Sequence, residues 1–98
     1  MQAKALVRTA GANFLAVGAA SAEIKSDMLP GKLYMFTCSQ ACWVKQGEAG
    51  STTASAGANS VLCLPVQTYF FHGSNGPALA VIQDAVAGKA SINLMDEI

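Results

Sequence analysis

Lys89-Ala90-Ser91-Ile92-Asn93-Leu94 is the stretch whose reading decides the fold class. Ala90, Ile92 and Leu94 fall on one side of an extended chain, Ser91 and Asn93 on the other. That two-residue period belongs to a strand with one buried and one wet face. Outward from this stretch, apolar residues recur in short bursts divided by Gly, Pro, Ser and Asn, and no window sustains the i, i+3, i+4, i+7 spacing of an amphipathic helix. Strands are expected at residues 4–9, 13–18, 20–25, 32–38, 42–46, 60–64, 68–72, 78–84 and 89–94. Eight or nine short strands at this spacing predict an all-β chain, a jelly-roll-like β-sandwich of about eight antiparallel strands.

Two bursts depart from the alternation. Leu33-Tyr34-Met35-Phe36 and Val61-Leu62-Cys63-Leu64 are apolar on both faces, as strands covered on both sides are. A neighbouring subunit is the expected second cover. The turns carry their own chemistry: Leu29-Pro30-Gly31 suits a tight turn, and Gly73-Ser74-Asn75-Gly76-Pro77 a hairpin loop. Residues 47–58 hold small side chains with nothing to bury, so a long mobile loop is expected there, ordering only against a neighbour. The 98 residues read as a single domain, with residues 1–31 as an N-terminal arm or edge strands.

Composition narrows the function. The chain is 52% hydrophobic and only 12% charged, and six basic residues balance six acidic ones. Nothing global draws such a chain to nucleic acid or to an anionic bilayer, and no apolar run reaches the length of a membrane span. Neutrality also removes the repulsion that keeps small domains apart. A domain of this size hides only about 60 to 70% of its unfolded surface, so some apolar side chains are expected to meet a partner. The few charges are uneven: five basic against two acidic residues up to Lys45, one basic against four acidic beyond it. Opposed halves of this kind suit a ring, or are simply solvated.

Lys4 and Arg8 precede Phe14-Leu15-Ala16-Val17, and Ala20-Ser21-Ala22 has the look of a signal-peptidase site, but Gly11, Asn13 and Gly18 interrupt the apolar core such a leader needs. Three cysteines, Cys38, Cys42 and Cys63, cannot all pair within one chain, which argues against a secreted disulfide scaffold and places assembly in a reducing cytoplasm. They read as small buried hydrophobes. A Cys3His metal set with His72 lacks the paired spacing of zinc sites, and a Cys63–His72 nucleophile pair lacks an orienting third group and an oxyanion hole. The scattered carboxylates Glu23, Asp27, Glu48, Asp84, Asp96 and Glu97 offer no catalytic pair, and no phosphate cradle is present. The expectation is a non-enzymatic protein without cofactor or metal.

The aromatics then carry the functional reading. Tyr69, Phe70 and Phe71 are consecutive, so on a strand at least one of them faces away from the core. Aromatics at a surface favour interfaces over ligand platforms. Trp43, Tyr34, Phe36, Tyr69, Phe71 and Phe14 are the candidate interface residues.

From about Lys32 onward the sequence resembles small tailed-bacteriophage virion proteins. The features are Leu33-Tyr34-Met35-Phe36-Thr37, Cys42-Trp43-Val44-Lys45-Gln46-Gly47, an Ala/Ser/Gly loop, Ser60-Val61-Leu62-Cys63-Leu64-Pro65, Gly73, and Leu79-Ala80-Val81-Ile82-Gln83-Asp84 followed by Gly88-Lys89-Ala90-Ser91. The resemblance implies a virion structural protein without catalytic residues. It points to a capsid decoration (cement) protein clamping major capsid subunits, located on the virion and self-associating, with a trimer favoured. Its alternatives are a tail or connector component, or a carbohydrate- or receptor-binding module of a tail fibre.

Overall fold

The inward side chains of the central strands set the architecture. In the computed structural model, which describes residues 6–8, 13–57 and 59–97, Tyr34, Phe36 and Cys38 alternate into the interior from β4 (Leu33–Cys38), and Ala90 and Ile92 do so from β9 (Gly88–Glu97). Facing them are Leu79 and Val81 of β8 (Ala78–Gln83) and Cys42 and Val44 of β5 (Cys42–Gly47). The remaining strands are β1 (Leu6–Arg8), β2 (Asn13–Val17), β3 (Ala22–Lys25), β6 (Val61–Cys63) and β7 (Tyr69–His72). Each large apolar side chain taken out of water here contributes about 1.5–3 kcal/mol.

Pairing is nested and antiparallel throughout: β2 with β9, β3 with β8, β4 with β7, β5 with β6. Two further ladders, β4 with β9 and β5 with β8, join these pairs into two sheets, β2–β9–β4–β7 and β3–β8–β5–β6. β1 takes up the far end of β9 beside β2, giving five strands in the first sheet and four in the second. This wrapping of four nested pairs into a two-sheet sandwich is the jelly roll. β9 is longer than the sequence reading because β1 and β2 pair with it in succession. β1 and β2 lie at the edge of the first sheet and β3 at the edge of the second.

The stretch at residues 47–58 corrects the expectation that it has nothing to bury. It packs on its own chain. Gly50 and Thr52 donate their backbone N–H groups to the Glu23 carboxylate at 3.1 and 3.3 Å, and Ala54 donates to Ser21 Oγ at 2.9 Å. Leaving β5 and reaching β3, the loop spans β8 on its outer face, where Ala78 and Ala80 are fully buried and small enough to allow the approach. Ala54 is itself buried. Thr52 sits over Gly47, close enough that a Cβ there would meet its Oγ1 at 2.7 Å. At the opposite turn, Gly73 has room for no side chain, because a Cβ would fall 1.9 Å from the Leu29 carbonyl oxygen.

The apolar edge and the thiol cluster

Both sheets end on the same side of the sandwich, the first in β7 and the second in β6, with residues 64–68 between them. The Tyr69 hydroxyl ties this connection by accepting the Leu64 N–H at 2.8 Å. Along this edge stand Val61, Leu62, Leu64, Val66 and Phe70, which are five of the seven exposed large hydrophobic residues among those described. Val66 is 88% exposed and Phe70 52%. The strand parity explains Phe70: Tyr69 and Phe71 pair in register with Phe36 and Tyr34, whose side chains are inward, so Phe70 must point out. Edge strands also carry a row of backbone groups with no partner strand. Large apolar side chains left exposed at such an edge mark a candidate interaction site.

The six candidate interface residues fall differently. Tyr34 and Phe36 are not at a surface: at 1% and 0% exposed they form the centre of the core, and the Tyr34 hydroxyl accepts the Leu29 N–H at 2.7 Å. The second cover expected over them is the chain's own second sheet. Phe71 is partly buried against the core, edge-on to Phe36 at 5.9 Å and 89°. Tyr69 also packs on the core. Trp43 is half-buried on the outer face of the second sheet between Ile82 and Leu62, its indole N–H donating to Asp84 at 3.0 Å. Phe14 pairs through its backbone with Ser91, and its side chain lies outside the described residues. The sequence reading missed Phe70 and Val66 as the surface groups. The alternation around Phe36 was the signal that could have selected Phe70.

The cysteines gather at one end of the core. Cys38 ends β4, Cys42 starts β5, and Cys63 stands opposite Cys42 in the β5–β6 register; all three are buried and free. The Cys38 thiol donates to the Cys63 carbonyl oxygen at 3.7 Å. Burial pushes all three thiols up, Cys63 to about 12, because the thiolate loses its hydration. Among the described residues, no group of three His, Cys, Asp or Glu side chains is arranged to hold a metal ion. Cys63 and His72 are not brought together: one points into the core from the second sheet, the other is exposed on the first. The charges, too, are used locally, Lys25 pairing with Asp27 at 2.9 Å and Glu23 holding the loop.

No protein-family model matches the chain, and no curated protein matches it. A solved structure does, reported as "Bacillus endospore appendages form a novel family of disulfide-linked pili": the likeness has a TM-score of 0.53 at 12% identity and covers 99% of this chain and 92% of that one. At that identity it establishes a shared fold. It overturns the resemblance to phage virion proteins, which covered only part of the chain. The cement role, the tail and receptor-binding alternatives, the capsid partners and the virion location fall with it. Those motifs are short apolar bursts between turns, and a jelly roll with these strand lengths produces them whatever its role.

Proposed function

We propose that the chain is a structural subunit that joins further copies of itself into a surface fibre, with the β6–β7 edge of one copy seated against its neighbour. The observation that carries this reading is the concentration of exposed apolar side chains on that single edge. A second copy is the occupant because the chain is electrically neutral, so copies do not repel one another. The structure with the shared fold is itself described as forming pili, which supports the same reading. A fibre needs head-to-tail contacts, so the apolar edge meets a different face of the next copy.

The test is sedimentation and electron microscopy of the purified chain over a range of concentrations. Wild type should form fibres or large oligomers as concentration rises. Phe70→Asp combined with Val66→Asp should stay monomeric while keeping its circular dichroism spectrum, since each buried apolar anchor contributes roughly tenfold or more to association. A wild-type chain that remains monomeric, or a double variant that still assembles, overturns the proposal.

A further inference from the structure

We propose that Cys38 and Cys42 form a disulfide within the chain, closed while it folds, which ties the two sheets together at one end of the sandwich. The two residues lie on different sheets, Cys38 at the end of β4 and Cys42 at the start of β5, with only residues 39–41 between them. Both side chains point inward and are buried together at the same end of the core. Cys63 is the competing partner. It is the cross-strand neighbour of Cys42 within one sheet, where Cβ atoms typically stand about 4.5–5.5 Å apart, at or beyond the upper end of the roughly 3.5–4.5 Å that a disulfide spans. Cys38 directs its own hydrogen to the Cys63 carbonyl oxygen and not to the Cys63 sulfur.

The timing follows from burial. In the folded chain both residues are buried, and burial favours the protonated thiol in each, so a soluble oxidant finds little thiolate to react with. In the folding chain both are open. With glutathione disulfide as oxidant, the Cys38 thiolate attacks one glutathione sulfur, forming a mixed disulfide and expelling one glutathione thiolate. The Cys42 thiolate then attacks the Cys38 sulfur and expels the second. The two cysteine protons end on the two released glutathiones, and the two electrons lost by the cysteines reduce the glutathione disulfide.

Trypsin separates the outcomes, because Lys32, Lys45 and Lys89 place Cys38 and Cys42 together in the peptide of residues 33–45 and Cys63 alone in that of residues 46–89. The full chain is unfolded, refolded in a glutathione redox buffer, alkylated in denaturant and digested. The expected product is the 33–45 peptide about 2 Da lighter and unalkylated, with Cys63 alkylated. The same buffer added to folded, reduced protein should leave all three thiols free. The oxidised form should melt on the order of 10 °C higher than the reduced form. Cys63→Ala should keep the light peptide and Cys42→Ala should lose it, and the wild-type map decides the matter if either variant fails to fold. Three alkylated cysteines after redox refolding, a link between the 33–45 and 46–89 peptides, or a link between chains overturns the proposal. None of these results bears on the association edge, which is read from oligomer size alone.

Discussion

At the scale of single residues, the three cysteines serve the core in place of aliphatic side chains, at the cost of a titratable group. Cys63 and Cys42 are fully buried and their folded-state pKa values are raised, by desolvation first and by the neighbouring cysteines second. A raised folded pKa means that the native state keeps its protons where the unfolded state has lost them. The stability these thiols contribute is therefore fully present below the ordinary value of 9.0 and is lost as pH climbs from there toward about 12 for Cys63. Each thiol contributes a slope of up to about 1.4 kcal/mol per pH unit in that window. Urea denaturation of the reduced protein at about pH 7 and about pH 10 should show the midpoint falling, and Cys63→Ala should reduce that fall. A midpoint that does not move, or a slope untouched by the substitution, would contradict the assignment. Asn93 is the other residue that breaks a simple rule. It occupies the outward side of β9, yet it is buried with Oδ1 lacking a hydrogen-bond partner.

Among the elements, the long β5–β6 loop shows what a single carboxylate does. Glu23 lies on the edge strand β3 and its two oxygens each accept a loop N–H, so the loop is held from the far side of the sheet. Glu23→Ala removes both acceptors. Hydrogen exchange at Gly50 and Thr52 should then accelerate by tenfold or more while the amides of β5 and β8 keep their protection, for a stability loss of about 1–2 kcal/mol. Equal exchange of those two amides in both proteins would show that the carboxylate does not hold the loop. All nine strands were legible in the sequence, because period-two alternation and Gly/Pro turns are local signals. Their nested pairing follows from strand number and short connections. The loop was not legible: its order depends on Glu23, some 27 residues away in sequence, and nothing in a run of Gly, Ala, Ser and Thr announces a distant acceptor. The candidate edge was half legible. That one of Tyr69, Phe70 and Phe71 faces out follows from parity. Which one does is decided by the partner strand, where Tyr34 and Phe36 claim the interior and so draw Tyr69 and Phe71 inward with them.

For the whole molecule, placing every cysteine in the core decides how copies can hold together. The structure with the same fold belongs to pili described as disulfide-linked, whereas Cys38, Cys42 and Cys63 are the chain's full complement and all three face inward. No sulfur is presented at the β6–β7 edge, where Val61, Leu62, Leu64, Val66 and Phe70 offer apolar area and β6 and β7 offer unpaired strand edges. Contacts of that kind are strong while the partners are folded and vanish when they unfold. An assembly of this chain should therefore run as monomer on a denaturing gel without reductant, with no covalent oligomer bands for reductant to remove. The hydrophobic contribution should also make association weaken on cooling and resist added salt, since no charge pair at the edge is available to screen. A ladder of covalent oligomers that collapses only with reductant would show that a buried cysteine opens outward on assembly, and would require the edge contact to be accompanied by partial unfolding of β5 or β6.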